Sequence, residues 1–439
     1  MLIRNIVILL LITFNCVAET INVKDYGAKG DGVTNDYPAL KKVVDKINNN
    51  GGGTLYFPPG KYYIGEFHDG TNTITDLEFK NCNNLKIYGL NAVISLKGNF
   101  NRPVTRRTTK HVFSNVGAII PIKIIQCTNV VVENLEINGN LDQMTRDKDV
   151  METGGHLVSI SESKGVTLKN LYLHHAQTDG LVIRGTNKPS FDVKADHIVS
   201  ANNARQGLTI GYLVGGEFTN CKFINTGLTG GKYGSHAPAA GLDIEPNKNT
   251  DIVSDVKFVD CLFERNLGSQ FTCSSPETIK NISFTNCKFI ASEQSYRYTI
   301  IVSAKNVLFE DSYIDCIDGS VYPTWQKEGS SSIFKNCYIA SRTSAIVAVN
   351  GLNGNSVIID SCTLEYTGTK KLNSYFPYIR MNGLSFINNK IKIPKDLLRD
   401  KGPSSLIQNV RKATNNQFYN GDTITDKPSV SYSGAKEIN

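Results

Sequence analysis

The chain has 439 residues, of which 40% are hydrophobic and 20% charged, with a formal net charge of +7. A chain this long normally divides into several domains unless it folds as a repeat array, in which each unit packs only on its neighbours. No stretch after the first eighteen residues is long and apolar enough to span a bilayer, nothing points to nucleic acid, and mild basicity suits a polyanionic partner.

The first residues read as a secretory leader. Arg4 gives a positive start, Ile6 to Phe14 form an apolar run, and Cys16-Val17-Ala18 offers small residues for cleavage. Residues 1–18 are therefore expected to be a signal peptide, and the mature protein to be secreted or periplasmic. Asn15 is a poor residue before a lipidated cysteine, so Cys16 is not read as an anchor. One of the ten cysteines lies in the leader, leaving an odd nine.

Next, Ile21 to Val23 reads as a strand, followed by a turn-rich loop from Asp25 to Gly32. Asn35 or Asp36 can cap a helix running to about Ile47, with Leu40, Val43, Val44 and Ile47 on one face. Thr54-Leu55-Tyr56-Phe57 is a strand, and Pro58 to Tyr63 turns into the next. A basic loop then interrupts the pattern. It carries Arg102, Arg106, Arg107, Lys110 and His111, and the three arginines are candidate contacts for a polyanion.

The middle of the chain holds the titratable groups. His174-His175-Ala176-Gln177-Thr178-Asp179-Gly180-Leu181-Val182-Ile183-Arg184 is followed by Asn202-Asn203-Ala204-Arg205-Gln206-Gly207-Leu208-Thr209-Ile210. Ala239-Ala240-Gly241-Leu242-Asp243-Ile244-Glu245 is the third member. Aligning Gly180, Gly207 and Gly241 points Leu181, Leu208 and Leu242 inward with Ile183, Ile210 and Ile244. Val182, Thr209 and Asp243 then stack outward, as do Arg184, Gly211 and Glu245. Asp179 and Arg205 lie just before their strands on neighbouring coils, with His156 near Asp179 one coil earlier. Asp179, Arg205, Asp243, Glu245 and His156 are thus the candidate catalytic groups. The longer gap before Gly241 leaves room for a loop, Gly227 to Pro238, in which Lys232, Tyr233 and His236 are candidate substrate contacts. His174, His175, Asn202 and Asn203 read as turn residues.

A repeat follows. Thr219-Asn220-Cys221-Lys222-Phe223 recurs as Val259-Asp260-Cys261-Leu262-Phe263 and Thr285-Asn286-Cys287-Lys288-Phe289. Glu310-Asp311-Ser312-Tyr313-Ile314, Lys335-Asn336-Cys337-Tyr338-Ile339 and Asp360-Ser361-Cys362-Thr363-Leu364 continue it. Positions 261, 287, 312, 337 and 362 recur every 25 or 26 residues, and apolar residues alternate with polar ones at strand period. Each unit is one coil of a β-solenoid, so a position inside one coil stacks on the same position in the next. The cysteines are expected to form a reduced interior ladder, behaving as small apolar residues. Tyr322 and Trp325 sit in a later loop where a ring can stack on a sugar. From about Pro403 the rhythm fades; Ser404 to Arg411 reads as a short helix and residues 403–439 as a cap or tail.

Val23-Lys24-Asp25-Tyr26-Gly27-Ala28-Lys29-Gly30-Asp31-Gly32 with Asp36, then Gly51-Gly52-Gly53-Thr54-Leu55-Tyr56-Phe57-Pro58-Pro59-Gly60, resembles the N-terminal signature of the pectate-lyase superfamily. That superfamily includes polygalacturonase-like glycosidases, uronan lyases and epimerases, and phage tailspikes. The resemblance implies an all-β fold, a single-stranded right-handed parallel β-helix over residues 19–402, with a short helix capping its N-terminal end. It does not fix the reaction. Gln177-Thr178-Asp179 nearly matches the first polygalacturonase motif, but Arg205-Gln206 stands where that family has acids, and its last two motifs are missing.

Two chemistries fit: hydrolysis by an acid and a base drawn from Asp179, Asp243 and Glu245, or β-elimination. In the second, Arg205 or His156 is the base, and Asp179, Asp243 and Glu245 hold a calcium ion against the substrate carboxylate. The expectation is an enzyme, a lyase or glycoside hydrolase, cleaving an acidic polysaccharide in a groove on the solenoid. The alternative is a glycan-binding or adhesin solenoid without catalysis. A capped solenoid is expected to be a monomer rather than a tailspike-like trimer.

Overall fold

The computed structural model describes residues 20–432 apart from 66–75, 97–99, 103, 105, 110–111, 115–118, 151, 229–233, 236, 274–276, 292, 296–298, 317–320, 323–328, 343–346, 349–355, 373–374, 399–404, 422 and 425–429. The coils expected from the repeat are present as a right-handed parallel β-helix. From Glu78–Lys80 to Val321–Tyr322 the coils send one run of residues into a nine-stranded parallel sheet and the rest into a continuous ladder that turns a corner. That corner is visible where Ser190–Ala201 pairs with both Leu213–Thr219 and Lys222–Ile224.

Asparagine explains the corners. Asn134, Asn170, Asn220, Asn286, Asn336, Asn388 and Asn415 all have φ between 49° and 58°, a left-handed conformation that asparagine tolerates better than other side chains. They also bond along the axis, as Asn170 Nδ2 does to Asn134 Oδ1 at 3.0 Å. The residue after this corner points inward and forms the ladder that the repeat predicts. Its cysteines are more than small apolar fillers. Cys261, Cys287, Cys337 and Cys362 each donate a thiol to the carbonyl of a phenylalanine on the preceding coil, at 3.3–3.5 Å. Ser312 and Asn416 make the same bond from the same position, to Phe284 and Phe386, and Asn389 makes it to the carbonyl of Ile359. A carbonyl buried at every corner thereby finds a donor.

Beside this ladder Phe218, Phe258, Phe284, Phe309 and Phe334 stack at centroid spacings of 4.7–4.9 Å, which is the coil spacing itself. All nine cysteines among the described residues are buried and carry free thiols outside any disulfide. Protein denatured without its leader is therefore expected to titrate nine thiols in the absence of reductant. Fewer thiols would reveal a cross-link inside the ladder.

At the N-terminal end the helix Tyr37–Asn49 buries Leu40, Val43, Val44 and Ile47, the face its spacing predicts. Asp36 precedes it, but its carboxylate accepts from the backbone of Lys29 and Gly30 instead of capping the helix, and so pins the glycine-rich loop. The C-terminal expectation needs correction. Ser405–Thr414 is a strand, not a helix, and it pairs in parallel with Tyr378–Ile387. Gln417–Asn420 stacks on Lys390–Ile393, so the coils run past Pro403. Leu406, Ile407, Val410 and Ala413 instead serve a strand whose register shifts at Val410.

Candidate active site

Four strands of the nine-stranded sheet carry the groups singled out in the sequence: Val158–Ser161, Asp179–Arg184, Gln206–Ile210 and Ala240–Ile244. Their register is the expected one. Leu181, Leu208 and Leu242 stack inward, wholly buried, and Val182, Thr209 and Asp243 stack on the other face. Gly180 has a steric reason to be glycine, because a β-carbon there would lie 2.0 Å from Ser200 Oγ. Without one, the chain sinks against Ser200 as it enters the strand.

Asp179 is the hub and has no exposed surface. Arg205 grips it with both arms, Nε to Oδ1 at 2.8 Å and Nη2 to Oδ2 at 2.6 Å. Thr209 Oγ1 donates to Oδ2 at 2.9 Å. Burial alone would raise the pKa of Asp179, but the Arg205 guanidinium outweighs it and holds the carboxyl far below the usual range. Burial likewise opposes the charge on Arg205, and Asp179, with help from Glu245 and Asp243, overcomes it and pushes that pKa above its ordinary value. Arg205 is therefore a fixed cation, which removes it from the candidate bases.

His156 is the base that remains. Its Nδ1 lies 3.0 Å from Thr178 Oγ1 and 3.3 Å from Asp179 Oδ2. An ionised carboxylate only accepts, so Nδ1 carries the proton and Nε2 keeps its lone pair. Among the described residues no hydrogen bond engages Nε2. Burial lowers the pKa of His156, and Asp179 only partly offsets that, so the ring is neutral at neutral pH.

The network runs on to the next coil. The Thr209 hydroxyl also lies against Gln206 Oε1, and Gln206 Nε2 donates to Asp243 Oδ2. Asp243 is nearly buried, whereas Glu245, just past the end of its strand, is exposed. The two acids expected to share one open face thus sit in different surroundings. Gln206 and Thr178 escaped the sequence reading, although Gln206 precedes Gly207 as Asp179 precedes Gly180, and that register was the available signal.

The basic loop is drawn toward this part of the coil stack. The backbone of Phe100–Arg102 pairs with Met144–Arg146, and Arg146 reaches Ser235 O at 2.8 Å in the loop after Gly227. Arg106 and Arg107 are exposed, and Arg107 meets Asp149 at 3.2 Å in a surface pair that adds little stability. Lys232, Tyr233, His236, Lys110, His111 and Trp325 lie outside the described residues. Tyr322 ends a short strand paired with Ile300–Val302. His174 and His175 belong to a corner, as expected, and face Glu136 and Asp142 at 3.2 and 3.5 Å.

The calcium expectation does not fit these residues. Both oxygens of Asp179 are taken by Arg205 and Thr209, and Asp243 accepts from Gln206. Calcium needs six to eight oxygen ligands, and a bound guanidinium repels it.

Comparison with known proteins places the fold. Residues 20–223 match the family described as "Rhamnogalacturonase A/epimerase, pectate lyase-like", and residues 156–314 match "Right handed beta helix region". Over 214 residues, 45% of this chain, it is 28% identical to mannuronan C5-epimerase AlgE1 of Azotobacter vinelandii. Over 238 residues, 51% of the chain, it is 26% identical to alginate lyase 7 of the same organism. These matches span only 13% and 24% of the relatives' own lengths. Among solved structures, the A-module of the A. vinelandii epimerase AlgE4 aligns with 89% of this chain and all of its own, at a TM-score of 0.52 and 16% identity. The Streptococcus pneumoniae surface adhesin PfbA aligns with 95% of this chain and 91% of its own, at a TM-score of 0.54 and 14% identity. Over residues 20–314 the chain is built as a right-handed parallel β-helix, pectate-lyase-like over residues 20–223.

Proposed function

We propose that this protein, exported by its leader, acts on an acidic polysaccharide by removing the proton beside a uronate carboxylate. One observation carries the reading: a buried imidazole, held by an ionised aspartate through Nδ1, stands beside a fixed guanidinium. In that arrangement Nε2 takes the C5 proton, the electron pair moves into the carboxylate as an enolate, and the cation beside it offsets the new charge. Elimination and C5 epimerisation share this step, and an epimerase and an alginate lyase are both relatives by sequence. Hydrolysis is less well served, because it needs a protonated carboxylic acid and Asp179 is held ionised. A second reading is binding without catalysis. A 47-residue stretch is 45% identical to plasmin and fibronectin-binding protein A of S. pneumoniae, though it covers 10% of this chain.

The test offers mannuronan, alginate, polygalacturonate and a neutral glucan to the mature protein. Ultraviolet absorbance of unsaturated uronate, C5 configuration by proton NMR and new reducing ends are read together. Unsaturation or inverted C5 supports the proposal, and distinguishes lyase from epimerase. Reducing ends alone would overturn it in favour of hydrolysis through Asp243 and Glu245. Saturable binding with no product would favour the adhesin reading.

A further inference from the structure

Arg184 ends the strand that begins with Asp179 and belongs to the outward column of the sheet. Its backbone pairs with Ser161 on one side, and on the other the column position falls to Gly211, where an added β-carbon would lie 3.8 Å from the Arg184 β-carbon. Both neighbours are small, so neither covers the side chain. Arg184 is partly buried, and among the described residues no hydrogen bond or ion pair engages its guanidinium. Burial accordingly depresses its pKa, and the two acids that pull the other way are already engaged. Asp179 is gripped by Arg205. Asp76 accepts from Ile120 N at 2.8 Å and faces Lys123 at 3.1 Å. Arg205 itself spends only Nε and Nη2 on Asp179, leaving Nη1. Two guanidiniums with unspent donors thus feel one carboxylate that is full, and the column position beside Arg184 is a glycine. A partly buried cation without a counter-charge is costly to maintain, and a planar fork of N–H groups matches a carboxylate in two bonds.

We infer that Arg184, with the unspent Nη1 of Arg205, seats the carboxylate of the sugar on which His156 acts, in the place where a divalent cation was expected. This rests on the reading of the site as acting on an acidic polysaccharide. The ligand class is a uronic acid, recognised through its charge, and the seat needs no metal. The enolate formed from that carboxylate would then develop its negative charge directly against a guanidinium.

The test is calorimetric binding of mannuronate trisaccharide, and of its carboxyl-reduced counterpart, to the wild type and to Arg184→Gln, Arg184→Lys and His156→Ala, with and without a chelator. Far-ultraviolet dichroism checks that each variant is folded. Arg184→Gln is expected to weaken trisaccharide binding at least tenfold while leaving the reduced sugar unaffected. Arg184→Lys should restore part of the loss, and the chelator should change nothing. Equal affinity in Arg184→Gln, no binding by the wild type, or binding lost to chelator and restored by calcium would each overturn the seat. The two proposals fail separately. Arg184-dependent binding without turnover by the wild type sinks proton abstraction and leaves the seat standing. Turnover with an unchanged KM in Arg184→Gln does the reverse.

Discussion

Replacing His156 by alanine is expected to cut turnover by about 10²–10⁴-fold while the solenoid stays folded. The side chain is not part of the apolar core cluster, and Asp179 keeps Arg205 and Thr209, so the loss is confined to the Thr178 hydroxyl, whose bond is to His156. The pH dependence carries the same signature. Burial lowers the folded-state pKa of His156 below its ordinary 6.5, so the neutral base persists into mildly acidic solution. The acid limb of kcat/KM should therefore fall below pH 6.5, as pH drops through that depressed value. Stability follows in sign: the unfolded chain binds this proton first, so stability is lost as pH falls below about 6.5. Initial rates of uronate unsaturation or epimerisation across pH measure the first effect, and urea midpoints the second. Undiminished turnover in the alanine variant would remove His156 from the chemistry.

The second large effect belongs to Asp179→Asn. Removing one partner of a buried ion pair leaves the other charge uncompensated, at a cost of about 3–5 kcal/mol. Here the loss falls on Arg205, whose guanidinium has both arms on that carboxylate. The His156 ring also loses the acceptor that fixes its tautomer, so turnover should vanish with the stability. The double substitution Asp179→Leu with Arg205→Met separates the two, since removing both charges together is often neutral for folding. It should recover most of the lost stability and none of the activity. Single and double variants of equal stability would show that the pair contributes nothing to the fold. Because the folded-state pKa of Asp179 is depressed, its stabilisation is complete above its ordinary 3.8 and is lost as pH falls through the lower folded value.

Much of this was legible beforehand because a solenoid converts sequence spacing directly into spatial neighbourhood. Aligning Gly180, Gly207 and Gly241 was enough to stack Val182 on Thr209 and Thr209 on Asp243. The cysteine rhythm gave the coil length for the same reason. What spacing could not show is which side chains reach across coils. Arg205 as a candidate base and Asp179 as a calcium ligand were both reasonable from position, and their bidentate pairing bears against both. Gln206 stayed hidden because a glutamine looks inert until an aspartate lies on the coil above it. The helix expected over Ser404 to Arg411 is a strand because the preceding coil, Tyr378–Ile387, offers it a ladder that the fading repeat did not reveal.

The residue ladders that line the coils have a consequence for how such a chain can change length. Cys287, Ser312, Cys337 and Cys362 occupy equivalent points, and each coil bonds to its neighbours alone. Insertions and deletions are therefore quantised. Excising one whole unit between two such points rejoins strand to strand in register, with the phenylalanine column unbroken. Losing an odd number of residues within a strand would instead turn its inner face outward. The described coils beyond Cys287 contain no member of the His156–Asp179–Arg205 cluster. The length of surface on that side can grow or shrink by duplication while the chemistry stays untouched, so reach and reaction are free to evolve separately.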